Sequence, residues 1–309
     1  MNRITRIQTW LPPYHYSQEE LLGEFGLNAH RSARVIFRRA RIASRNFIIP
    51  ARTLVTPNAS EKIFPPLCEI LPDAPSVDHV VEVSDLGSMY RRGGASHVHH
   101  HWCPGSIRAL EESSTLSGRT LIVSCDLRSY LRWKPDFNNS SDVVTYSLMG
   151  DAIAAVVVEQ SQQSSEAHPA ILGCAYRSKA CGLVGTADGK LFLDPQLPSH
   201  IPPLVHGCLD DLFERFSISQ DDISFWIVHP GGVRILDEME KSFGLGEQTL
   251  EFSRQVLRDY GNIGGSSIFF ILDLVQRTQP QAGSYAIAIS FGPGMEPNEL
   301  LAATCLLQW

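Results

Sequence analysis

Apolar residues along this chain gather into short unbroken runs divided by amphipathic stretches. His79–Ser84 (HVVEVS), Arg119–Cys125 (RTLIVSC) and Ala152–Val158 (AIAAVVV) are too short for buried helices and are rich in β-branched residues, so they predict buried strands. After Pro12-Pro13, Ser17-Gln-Glu-Glu20 predicts a helix start with Ser17 as cap and Glu20 closing a capping box. The polar stretch SQQSSEAHP at 161–169 predicts a linker, dividing the chain into halves 1–160 and 161–309. The second half resumes with AILGCAY, a helix over about 203–216 and a strand at Phe225–Val228. Helices follow over about 231–243, 248–259 and 267–277, and a last strand, Tyr285–Ile289, leads into Phe291-Gly-Pro-Gly294. Strands alternating with helices predict an α/β fold. No short-period repeat is present.

Composition narrows the class. The chain has 309 residues, 43% of them hydrophobic, enough for one large domain or two fused halves. A net charge of −7 without a long basic run argues against nucleic acid. Arginines at 31, 34, 38, 39, 41 and 45 read as a solvated helix face or as an anion site. The N-terminus lacks a signal-like apolar run, and no stretch approaches the roughly 18 apolar residues of a membrane span, which predicts a cytoplasmic protein. Seven cysteines without a CxxC pair predict neither a disulfide scaffold nor a zinc site. His97, His99, His100 and His101 read as a solvated loop, since adjacent histidines point in different directions; no metal is expected.

Candidate chemistry concentrates in 225–274. His229 ends an apolar strand ahead of Pro230-Gly-Gly232. Asn262 follows 33 residues later, between Gly261 and Ile263-Gly-Gly265. An imidazole and a carboxamide at two such loop ends can converge on one oxygen and form an oxyanion hole. The plainer reading is a capping Asn and a satisfied loop His.

His229-Pro-Gly-Gly and Tyr260-Gly-Asn262, with the helices between them, resemble the C-terminal half of chalcone-synthase-like type III polyketide synthases. Met149-Gly-Asp-Ala-Ile-Ala-Ala-Val-Val resembles that family's GDGAAAV strand. Phe291-Gly-Pro-Gly294 resembles its C-terminal glycine-proline loop, and Pro12-Pro-Tyr with Ser17-Gln-Glu-Glu-Leu21 resembles the bacterial-type N-terminus. The resemblance implies a thiolase-like fold of two similar halves in five αβαβα layers, a homodimer, and decarboxylative condensation of malonyl-CoA onto an acyl-CoA starter. It implies no metal or redox cofactor and products of the pyrone, resorcinol or phloroglucinol type. The catalytic set implied is Cys103, His229 and Asn262, the thiolate being kept ionised by an imidazole and a helix N-terminus.

Met149, Leu191, Gly264, Phe291, Gly292, Pro293 and Gly294 are the implied substrate-pocket residues, and Arg39 the implied CoA-binding residue. An aliphatic Met149 and Leu191 in place of aromatic gatekeepers leave room for a long alkyl starter. The sequence departs from the family around the nucleophile. Trp102 stands where the family has Gly, Pro104 follows Cys103, and the segment around 88–118 is short. Two alternatives therefore accompany the condensing enzyme: a catalytically silent or partner-dependent subunit, and a relative of ketoacyl synthase III, whose His is usually followed by Gln-Ala-Asn.

Overall fold

The computed structural model describes residues 1–55, 76–84, 95–99, 102–131, 135–160, 168–187 and 190–309, with the backbone alone at 95–99, 131, 186, 187 and 190. The strands are β1 Asn2–Trp10, β2 Tyr14–Ser17, β3 Ser44–Phe47, β4 His79–Ser84, β5 Ala95–His99, β6 Arg119–Asp126, β7 Ala152–Gln160, β8 Ala170–Ala180, β9 Val184–Ala187, β10 Lys190–Leu193, β11 Ile223–Val228, β12 Tyr285–Pro293 and β13 Glu299–Gln308. The α-helices are α1 Gln18–Glu24, α2 Arg31–Arg39, α3 Gly105–Thr115, α4 Ser140–Leu148, α5 Leu197–Phe216, α6 Val233–Phe243, α7 Glu251–Tyr260 and α8 Ser266–Arg277.

Among the described residues nine strands hydrogen-bond in the order β11-β12-β13-β8-β1-β7-β6-β4-β5. The join in the middle is slight, a single register pair between Arg3 of β1 and Ala170 of β8. On one side β4 runs parallel to β5 and β6; on the other β11 runs parallel to β12.

Alternation along the strands builds the layers. Val80, Leu121, Val123, Ile153, Ala155 and Val157 pack outward with Leu21 and Phe25 of the α1 segment and Ala33 and Phe37 of α2. Their neighbours Val81, Ile122, Ala154 and Val156 point inward, where Ile107 and Leu110 of α3 and Ile268–Leu272 of α8 lie. Ala286, Ala288, Ala303 and Cys305 close that middle layer from the other sheet. On its far face Ile287, Ile289, Ala302 and Leu306 pack against Ile201, Val205 and Leu209 of α5 and Leu236 and Met239 of α6. Period-2 strands buried on both faces thus give helix, sheet, helix, sheet, helix, the five layers expected.

Several expectations are corrected. The last strand is β13, not Tyr285–Ile289; it lies between β12 and β8 and is buried along Leu300–Leu307, where Thr304 is the one β-branched residue, so its apolar run lacks the composition that marks the predicted strands. α5 begins at Leu197 and runs through Pro202 and Pro203, which in sequence read as a helix start. Arg45 does not belong to the basic face. Its fully buried guanidinium holds the carbonyls of Tyr146 (2.6 Å) and Met149 (2.8 Å) and Gln18 Oε1 (2.7 Å). The capping box at Ser17 and Glu20 is present. Of the expected linker, 161–167 lie outside the described residues, as do His100, His101, 85–94 and the side chains of His97 and His99. No helix among the described residues is long and apolar enough to cross a membrane.

Leu110 is fully buried in the middle layer. Leu110→Ala is expected to cost about 3 kcal/mol in chemical denaturation; a loss below about 1 kcal/mol contradicts the placement of α3 between the two sheets.

Candidate active site

Two loops cross beneath the site, and their glycines let them touch. Gly150 N–H donates to Asn262 O at 3.1 Å, and Asn262 N–H donates to Leu148 O at 2.8 Å. A β-carbon on Gly150 would stand 2.3 Å from Tyr260 O; on Gly261, whose φ is +73°, it would stand 2.6 Å from Leu148 O. The Gly150-Asp151 and Tyr260-Gly-Asn262 motifs are therefore two halves of one contact. It fixes Asn262, which is buried. Gly264 N–H donates to Asn262 Oδ1 (3.0 Å), so the amide presents Nδ2, one of whose hydrogens goes to Gly231 O (3.3 Å).

His229 follows β11 with its backbone N–H on Ile289 O, 2.8 Å away. Its Nδ1 is 2.7 Å from Ser267 Oγ, which is itself 2.5 Å from Gly264 O. A carbonyl only accepts, so the Ser267 hydroxyl donates to Gly264 O and accepts from His229 Nδ1–H. Nε2 is left with its lone pair. Burial first, and the positive charge of Arg128 second, push the His229 pKa down to about 3, against a smaller upward pull from the Gly264 backbone. The imidazole is neutral at ordinary pH.

Cys103 lies just before α3. The cap position falls on Pro104, and Cys103 is one residue ahead of it. Its carbonyl accepts from Ser106 Oγ (3.0 Å) and Ser290 Oγ (2.7 Å), which pins the turn to α3 and β12. Trp102 has φ +30°, a left-handed conformation that suits glycine. The strain, of order 1–3 kcal/mol, is countered by its ring, which lies 5.1 Å from the Arg128 guanidinium carbon. Behind the thiol stands an ion pair that sequence reasoning missed. Arg128 Nη2 is 3.2 Å from Asp126 Oδ1 and 3.9 Å from Cys103 Sγ, and Nη1 is 3.5 Å from Met149 Sδ. The available signal was an Arg two residues beyond Asp126, at the end of an otherwise apolar strand.

One cavity of about 850 Å³ brings together Cys103, His229 and Asn262. Leu191, Phe291, Gly292 and Pro293 line it as expected, and Arg39 reaches it along with Arg38, Arg41 and Arg234. Gly292 packs closely on the turn that carries Cys103: a β-carbon there would stand 3.2 Å from Pro104 Cδ and 3.7 Å from Cys103 Cβ. Three expected pocket residues do not line this cavity. Leu148 takes the wall where Met149 was expected, and Met149 faces a small void with Phe47, Tyr146 and Asp151. Gly264, at φ +58°, has its α-hydrogen side against Asp126, where a β-carbon would come within 1.9 Å of Oδ1. Gly294 lies past the wall, beside Glu299. Among the described residues no cluster of His, Cys, Asp and Glu could hold a metal ion.

Residues 186–304 match the family described as chalcone and stilbene synthases, C-terminal domain. Two solved structures share the fold. One is PKS-I of the brown alga Ectocarpus siliculosus, with TM-score 0.79 and 19% identity over 99% of this chain and 98% of that one. The other is the C-terminal type III polyketide synthase domain of Steely1, a type I/III hybrid from Dictyostelium, with TM-score 0.81 and 21% identity over 99% of both chains.

A His pKa held below its ordinary value means that the unfolded chain binds the proton first. Stability is therefore lost as pH falls through 6.5 toward about 3. His229→Gln is expected to flatten this acid slope relative to wild type in urea titrations across that range; an unchanged slope contradicts a neutral buried imidazole.

Proposed function

We propose, from the premise that this chain carries a chalcone and stilbene synthase C-terminal domain on a type III polyketide synthase fold, that it condenses malonyl-CoA onto an acyl-CoA starter. The observation that carries the reading is that Cys103, His229 and Asn262 line the same cavity. The remaining walls are largely apolar, with Val144, Leu148, Val184, Leu191, Ile235 and Leu300, and the volume suits an alkyl starter with its growing polyketide chain. Arginines 38, 39, 41 and 234 supply positive charge for the phosphates of CoA.

His229 Nε2 accepts the proton of the Cys103 thiol, and Sγ attacks the thioester carbon. Asn262 Nδ2–H donates to the oxyanion. The bond from carbon to the CoA sulfur breaks, and the departing thiolate takes a proton from water. Malonyl-CoA then loses carbon dioxide. The electron pair left behind forms an enolate whose oxygen meets Asn262 Nδ2–H beside His229. The enolate carbon attacks the acyl group, the Sγ–C bond breaks, and the chain leaves two carbons longer as a CoA thioester. Further extension and cyclisation give pyrone, resorcinol or phloroglucinol products. The reaction needs neither metal nor redox cofactor.

Two measurements test this. Release of labelled carbon dioxide from malonyl-CoA is expected to fall by about 10²–10³ in Asn262→Ala; undiminished release removes the oxyanion role. Arg39→Ala is expected to raise KM for acyl-CoA about tenfold and to leave KM for the matching acyl-pantetheine unchanged. Equal effects on both contradict a phosphate contact.

A further inference from the structure

α2 carries a charge imbalance that the helix itself disfavours. Its sequence, Arg31-Ser-Ala-Arg-Val-Ile-Phe-Arg-Arg39, holds four cations and no acid, and Arg41 follows it. All five arginines are exposed, and none forms an ion pair among the described residues. Elsewhere on the surface Arg119, Arg177, Arg254, Arg258 and Arg277 each hold a carboxylate. Arg31 and Arg34 stand near the start of α2, where the helix dipole is already positive. Arg34 also repels Arg31 and Arg38, its neighbours one turn to either side. A chain of net charge −7 thus keeps these cations crowded together, and an external anion relieves the repulsion.

The patch continues into the substrate cavity. Arg38, Arg39 and Arg41 line it and are exposed, so they mark its mouth, as do Asn139 and Ser140 at the start of α4 and Phe192 of β10. α4 touches both α2 and β10, which makes the three elements one rim. Two large apolar side chains on that rim face water: Val35 of α2 is 44% exposed and Phe192 is 41% exposed. The carboxylates that line the cavity are already engaged. Asp194 accepts from the Gln196 N–H at 2.7 Å, and Asp237 pairs with Arg254 at 2.7 Å. The mouth is therefore basic, with apolar tips beside the charge and an apolar interior behind it.

We propose that α2 and the rim it shares with α4 and β10 dock the cavity mouth on an anionic lipid surface, from which a long-chain acyl-CoA starter enters. This deepens the condensing-enzyme reading by naming the source of the starter, and rests on it. An anionic leaflet answers both features of the rim, since it presents negative headgroups and acyl chains together; an acidic protein face answers only the charge. Val35 and Phe192 alone are too small an apolar face to hold a bilayer, so the attraction is chiefly electrostatic and falls with salt. Each arginine near such a leaflet adds about fivefold to the affinity. A long-chain acyl-CoA partitioned into the leaflet holds its phosphates at headgroup level, where Arg38, Arg39 and Arg41 meet them. Arg31 and Arg34 lie outside the cavity, and the docked surface gives them their anions.

The test is co-sedimentation of the full chain with vesicles of phosphatidylcholine alone, and with vesicles of phosphatidylcholine and phosphatidylglycerol in equal parts. The wild type is expected to bind the mixed vesicles, to leave the neutral ones, and to be released by high salt. The double variant Arg31→Gln/Arg34→Gln is expected to bind about tenfold more weakly or less, and Phe192→Ser about threefold more weakly. A wild type that stays in solution with the mixed vesicles overturns the proposal and leaves an acidic protein face as the occupant. Equal binding to neutral vesicles, or wild-type binding by either variant, overturns it as well. A kinetic measurement gives a second reading. Mixed vesicles sequester long-chain acyl-CoA, so they raise KM for an enzyme that feeds from solution. They are expected to raise KM for the double variant and not for the wild type, the two being alike without vesicles; an equal rise in both contradicts entry from the lipid. Because the sedimentation contains no acyl-CoA, its failure is separate from failure to condense.

Discussion

The buried carboxylate of Asp126 ties the site together. It ends β6, receives the backbone N–H groups of Gly265 and Ser266 at the start of α8, and pairs with Arg128. The first turn of α8 carries Ser267, which sets the His229 ring. The turn just ahead of α8 carries Gly264, which sets the Asn262 amide. Arg128 sets the ground behind Cys103. One negative charge, held in place by a helix N-terminus, thus fixes the imidazole, the carboxamide and the guanidinium together. Gly264 must lack a side chain because that carboxylate occupies the space a β-carbon requires.

The unusual residues around Cys103 are one structural solution. A left-handed turn before Cys103 favours glycine, yet Trp102 adopts it, with φ +30°. The same indole lies against Arg128, and Arg128 in turn lies against Sγ. Pro104 fits because its missing N–H falls at the start of α3, where no intrahelical partner exists. Trp102, Pro104 and Arg128 are therefore mutually supporting around Cys103.

Much of this was legible in the sequence because it depends on local pattern. Apolar runs gave the strands β4, β6 and β7, the capping box gave α1, and the glycines around His229 and Asn262 marked backbones in close contact. β13 was missed because Leu300–Leu307 has a single β-branched residue, Thr304, and so lacks the composition that marked the apolar runs of β4, β6 and β7 as strands. Met149 and Gly264 were placed on the cavity wall by position in a motif, but the crossing of the two loops turns them away from it. Arg128 was missed for a different reason. A charge at the end of a strand normally reads as solvated, and only the tertiary arrangement shows it buried between a carboxylate and a thiol.

The central claim is that Cys103 carries the acyl group in a cavity built for condensation. Intact-protein mass spectrometry after incubation with a long-chain acyl-CoA, comparing wild type with Cys103→Ala, tests it most directly. The account predicts one acyl group on the wild type and none on the variant. A folded wild-type protein that takes up no acyl group, or a variant that takes up as much as wild type, contradicts it.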